Sequence, residues 1–236
     1  MTGEASHVAA VARFGFWSSL ATGGTTLVAF VIAVLTPPLS GSFCRENCIG
    51  YPYLDIAHRF PRDYYWMFPA IVATLSYVAM AIALHARAAA ERRMTAALGV
   101  ALSIMAAVVL VGDYFVQLAV VQPSVLAGEA DGISLLSQYN PHGVFIALEE
   151  LGYLLMSLSL ACIAPAIPPA TRLERVVRRL FVGGLVLNLL VLAVIAGRLG
   201  HSRGYLFEVA TISINWLVLV VGGLLLAVIF RGSVAR

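Results

Sequence analysis

Six long apolar stretches divide this chain, and the polar positions between them cluster into short connecting segments. Crossing a hydrocarbon core of ~30 Å takes roughly 20 apolar residues of helix. The stretches cover residues 14–35, 64–86, 95–122, 144–167, 180–197 and 207–230. The expected fold is therefore all-α: an integral membrane six-helix bundle, one polytopic domain over residues 1–236. The first stretch is long for the apolar region of a signal peptide and no convincing small-residue cleavage motif ends it, so it is read as a span.

Composition supports this class, because 61% hydrophobic and 11% charged residues leave too little polar surface to cover a water-soluble domain. All 15 basic residues are arginine, in keeping with coding bias rather than function. A net charge of +3 spread over short loops excludes the clustered basic face that nucleic acid requires. Short loops rich in arginine tend to stay cytoplasmic. Placing both termini inside puts ten arginines, from Arg13 to Arg236, on the cytoplasmic side. Arg45, Arg59, Arg62, Arg198 and Arg203 then remain outside. The expected location is the plasma (inner) membrane, crossed several times, with membrane lipids as the obligatory partners.

The outer connections are the longer and chemically richer ones, and ordered outer loops are expected on the working face. The first, 36–63, opens with Pro37 and Pro38, carries Cys44 and Cys48, and leads into the aromatics Tyr64, Tyr65, Trp66 and Phe68 at the membrane interface. An oxidising compartment makes a local Cys44–Cys48 disulfide the first reading, whereas a redox pair would carry two intervening residues rather than three. Asp55 and His58 do not complete a metal-ligand spacing with the cysteines, so no metal is expected. In the second outer loop, residues 133–139 suit a short helix lying on the membrane or covering a cavity. Haem and other cofactors are not expected. His85 and His142 stand at opposite ends of their helices, about a bilayer apart at ~30 Å, and His7, His58 and His201 lie outside the spans.

The candidate chemistry is carboxylic. Asp113, Glu149 and Glu150 fall within spans, where an acid costs at least ~2.5 to 3.5 kcal/mol to insert. With ~1.5 Å of rise per residue, Asp113 lies about 13 Å and Glu149 about 9 Å below the outer ends of their helices. Residues three, four or seven apart share a helix face. Asp113 thus groups with Gln117, His142 with Glu149 and Tyr153, and Glu208 with Thr211 and Asn215. Glu150 points roughly 100° away from Glu149, so one acid of the pair faces a cavity and the other a neighbouring helix. No arginine inside a span is available to neutralise these acids. At least one of Asp113, Glu149 and Glu150 is then expected to be protonated near neutral pH, and Asp113, Glu149 and Asn215 are expected to line one outward-open cavity. Asn188 and the glycine pairs at 23–24 and 183–184 read as ordinary helix packing.

Interhelical hydrogen bonds within membranes contribute only ~0.6 kcal/mol each, little return for burying an ionised acid. The expected function is binding or transport of a small-molecule ligand, proton or cation in an outward-facing intramembrane carboxylate cavity. The alternative is a membrane-embedded acid-base enzyme acting on a lipid or isoprenoid, and a second alternative is an accessory or sensor subunit. No nucleotide-binding loop, nucleophile elbow, zinc-protease or dinucleotide fingerprint accompanies the acids, and no catalytic residue is assigned.

Overall fold

The computed structural model describes residues 2–36 and 38–234, without the side chains of residues 2–5, 201, 233 and 234. Pro37, Arg236 and the His201 side chain, which entered the reading of loops and charge, lie outside the described residues. All regular structure among the described residues is helical. Helix α1 spans Thr2–Leu35, α2 Met67–Ala86, α3 Arg93–Val116, α4 Gln122–Leu126, α5 Ile133–Leu136, α6 Val144–Ile163, α7 Arg172–Leu199 and α8 Leu206–Val234. Among the described residues six helices are long and apolar enough to cross a membrane, which supports a multi-pass membrane protein.

Three span boundaries differ from the sequence reading. The first helix already begins at Thr2, so that His7 and Arg13 lie within its apolar span rather than before it, and two others move for local reasons. The third span runs on past Gln122 to Leu126, because a π-helical turn over Gln117–Val121 joins α3 to α4. Pro123 sits in the first turn of α4, where its missing N–H has no partner to lose. The fifth span begins at Arg172 rather than 180. The Thr171 hydroxyl accepts from Glu174 N at 3.2 Å, and Thr171 N donates to the Glu174 carboxylate at 2.7 Å. This reciprocal cap starts the helix eight residues before the hydrophobic run and places four arginines on its first turns.

The long helices alternate in direction and pack in chain order, each on its neighbours, with α8 closing back onto α1. Helix α6 also touches α2 and α8, which makes it the innermost element. Helix α7 is peripheral, with only 17% of its most apolar window buried. Both long connections and the α7–α8 turn gather at one end of the bundle, here the loop end. There Leu39, Ile56, Val121, Ile133 and Tyr139 form a small separate core. The two connections are also tied by polar contacts. Gln122 donates to Ala57 O at 3.1 Å, Gln117 donates to Leu136 O at 2.6 Å, and Ser40 and Tyr205 share a hydrogen bond of 2.7 Å. Cys44 and Cys48 form a disulfide in the first connection.

Close approach of α1 to α8 depends on glycine. A Cβ on Gly223 would lie 2.9 Å from both Gly23 N and Ser19 O, which are backbone atoms that no rotamer change can move. Nothing lies within 4 Å of the corresponding point on Gly24. Only one member of that sequence pair is therefore a packing residue. Gly223→Ala is expected to destabilise the bundle by about 1–3 kcal/mol, the usual range for overpacking, while Gly24→Ala leaves it unchanged or slightly firmer. Thermal unfolding of the two variants in detergent micelles checks the contrast.

Candidate functional site

The residues facing one another around α6 form a chain of hydrogen bonds with a fixed direction. Trp216 Nε1 on α8 donates to the Tyr153 hydroxyl at 2.8 Å, and an indole N–H can only donate. Tyr114 on α3 donates to Glu149 Oε1 at 2.8 Å, which uses its one proton. The 2.8 Å contact between the two tyrosines must therefore run from Tyr153 to Tyr114. Every proton along Trp216, Tyr153 and Tyr114 points towards Glu149, which is fully buried. Trp66 stacks edge-on against Tyr114 at 5.2 Å, and Phe30 against Trp216 at 5.9 Å, so rings from α1 and the start of α2 hold the chain in place.

Glu149 Oε2 receives no hydrogen bond from an N–H or O–H donor among the described residues. The carboxyl of Glu208 is a close neighbour of the Glu149 carboxyl. Two carboxyl groups hydrogen-bond only with a proton between them, since an ionised acid has acceptors alone. Asp113 stands close enough for its charge to act on Glu149, and its Oδ2 is also without a partner. Asp113, Glu149 and Glu208 thus form one buried acidic cluster contributed by α3, α6 and α8.

Glu208 connects this cluster to a cavity of about 340 Å³ at the loop end, between α1, α8 and the two long connections. Phe30 and Val34 of α1 and Val209 and Ile212 of α8 supply its apolar walls, with the rings of Trp66 and Trp216 beside them. Asp63, Ser40, Gln138, Tyr139 and Tyr205 supply its polar rim. The Tyr139 hydroxyl donates to Asp63 Oδ2 at 2.8 Å. Burial first, and then the adjacent Asp63 charge, push its pKa far above that of a free phenol, so Tyr139 remains a donor. Burial likewise raises Tyr205, against a smaller opposing effect of its hydrogen bond with Ser40.

The remaining residues singled out by sequence are distributed over three other places. Gln117 clamps the second connection, donating to Leu136 O and accepting from Gln138 N at 3.0 Å. Thr211 and Asn215 belong to a polar relay one turn deeper. Asn188 donates to the Ser157 hydroxyl at 2.7 Å, Ser157 donates to Asn215 Oδ1 at 2.9 Å, and Asn215 donates to Thr211 O at 2.9 Å. Asn188, read above as simple packing, is therefore the α7 anchor of an interhelical network. His142 and Glu150 line a separate cleft near the α7–α8 turn.

Two expectations are corrected by this geometry. Glu150 is not without a cation: Arg203 Nη2 donates to its carboxylate at 2.6 Å. Arg203 belongs to the turn between spans, which is why a search for arginine within spans passes over it. The cavity is also not lined by Asp113, Glu149 and Asn215. Of the candidate residues Glu208 alone lines it, and Glu149 and Asp113 stand behind Glu208. Sequence reasoning did not select Tyr114, Trp66, Trp216, Asp63, Tyr139, Tyr205, Ser157 or Arg203. The available signal was adjacency, for Tyr114 follows Asp113 and Trp216 follows Asn215.

Tyr153→Phe removes the central link and leaves the Trp216 N–H buried without an acceptor. It is expected to lower stability by about 1–3 kcal/mol, the cost of an unsatisfied buried group. Tyr153→Phe combined with Trp216→Phe is expected to recover part of that loss, and unfolding in micelles measures both. Comparisons with protein-family models, curated proteins and solved structures find no match to this chain, so the chemistry of the site follows from its own residues.

Proposed function

We propose that this multi-pass protein of the plasma (inner) membrane, with both termini cytoplasmic, binds or transports a small ligand, proton or cation in an outward-facing carboxylate cavity. The carrying observation is the position of Glu208, which lines the cavity and touches Glu149 at the end of the hydroxyl chain. An occupant at Glu208 acts on a carboxyl pair that holds one proton, so occupancy and protonation are linked. The groups that set this linkage come from every helix around the pair. Asp113 and Tyr114 face it from α3, Glu150 and Tyr153 from α6, and Tyr205 from the turn before α8. Glu150 is already matched by Arg203, which leaves Asp113, Glu149 and Glu208 as the acids free to exchange a proton.

The arginine balance supports the outward orientation, and the disulfide agrees with an oxidising compartment on the loop side.

Accessibility of a cavity residue tests both parts of the proposal. Ser213, which lines the cavity on α8, is replaced by cysteine in a Cys162→Ala background, where Cys44 and Cys48 are bonded to each other. A membrane-impermeant thiosulfonate is expected to modify Ser213→Cys from outside intact cells. The ratio of its rate to that in an added Glu208→Gln background is expected to step with pH, because the thiol's own titration divides out. Modification confined to inverted vesicles contradicts the orientation, and a ratio flat in pH contradicts the proton linkage.

A further inference from the structure

The lining chemistry of this cavity specifies an occupant more narrowly, on the strength of the binding role just proposed. We infer that the ligand is an amphipathic amine: an organic ammonium ion carrying a small hydrocarbon body, reached from the lipid beside α1 and α8.

Charge selects the cation. The ionisable carboxyls of the lining are Asp63 and Glu208, and none of the lining residues is arginine or histidine. Asp63 is largely matched by Tyr139 at 2.8 Å and Arg62 at 3.5 Å. Among the described residues the charged groups acting on Glu208 are acids, Glu149 and Glu150, although it is just 9% exposed. An ammonium group at Glu208 would balance the negative charge that these acids carry when ionised. An anionic head would meet two carboxylates and no cation, at a cost that excludes fatty acids and phosphates.

The walls select an organic cation over a metal ion. A hard metal ion asks for six or more oxygen ligands in the case of calcium, or near-octahedral geometry in the case of magnesium. No group of three or more acids, histidines or cysteines is placed to hold one among the described residues. The walls are instead hydrocarbon and indole, surfaces that receive an alkyl body and the face of an ammonium group. The volume of about 340 Å³ is at the lower end of small-molecule sites, which suits a short-chain amine rather than an intact phospholipid.

The rim selects the route. Val34 on α1 is 69% exposed and Val209 on α8 is 40% exposed, and both belong to membrane spans as well as to the cavity lining. The cavity therefore has apolar side chains on its open edge where the helices face lipid. An amphiphile whose tail is already in hydrocarbon can slide its head inward past them to Glu208.

Tryptophan fluorescence provides the test. The chain has three tryptophans, and Trp17→Phe leaves Trp66 and Trp216, both in the cavity lining. The full-length variant in lipid nanodiscs is titrated with octyltrimethylammonium, octyl sulfate and octanol. The ammonium probe is expected to give a saturable change, weakened roughly tenfold or more by Glu208→Gln, as loss of a charged partner implies. Ala33→Phe, which fills the cavity without touching a carboxyl, is expected to abolish the change. Neither of the other probes is expected to saturate. Equal saturable binding of octanol, or an ammonium affinity unaltered in both variants, overturns the amine assignment. So does the absence of a saturable response to any probe. The Ser213→Cys assay uses no ligand, so failure of the amine assignment and failure of the cavity reading are distinguished.

Discussion

A fully buried glutamate near the loop end of the innermost helix constrains everything around it. Glu149 lies among apolar helices, and a carboxyl group there is tolerated only if its oxygens meet hydrogen-bond donors or a proton. The fold supplies both on different sides. Tyr114, backed by Tyr153 and Trp216, satisfies one oxygen through a chain whose direction is fixed by the indole. Glu208 is the neighbouring carboxyl, and a proton shared between the two acids at the edge of a cavity would meet the second requirement.

This arrangement explains why α6 is the central helix and why its polar residues fall in a line. Glu149, Tyr153 and Ser157 recur every four residues and meet α3 and α8 in turn. Below the acid cluster the Asn188–Ser157–Asn215 relay joins α7, α6 and α8, and it carries no ionisable group. To one side Glu150 and Arg203 close a charge pair at the α7–α8 turn. The structure therefore separates these mutually satisfied groups from the acidic cluster of Asp113, Glu149 and Glu208, in which Glu149 Oε2 and Asp113 Oδ2 have no hydrogen-bond partner among the described residues. Within that cluster Glu208 lines the cavity.

Much of the fold was legible in the sequence, because apolar runs of about 20 residues have few alternatives to membrane helices. The boundaries that moved are those where another force overrides hydropathy. Arg172 to Arg179 read as loop until the Thr171 cap draws them into α7, and the π-turn carries α3 past its polar end. For the site, helical spacing grouped His142 with Glu149 and Tyr153, and Glu208 with Thr211 and Asn215, whereas His142 lines a separate cleft and Thr211 and Asn215 join the Ser157 relay rather than the acids. It gave no access to contacts between helices distant in sequence. Tyr114 is one residue from Asp113 and so roughly 100° around the helix, which removed it from the stripe although it is the donor to Glu149. Arg203 and Asp63 sit in connections, and their partners become evident only once the bundle closes.

A proton held between Glu149 and Glu208 has a direct signature in infrared difference spectroscopy of the lipid-embedded protein. Between neutral and alkaline pH a carboxylic C=O band is expected to be lost in the wild type. That band should be altered or missing in Glu149→Gln and Glu208→Gln and preserved in Glu150→Gln, whose carboxylate is paired with Arg203. A spectrum without a protonated carboxyl band, or one left intact by both Glu149→Gln and Glu208→Gln, would contradict it.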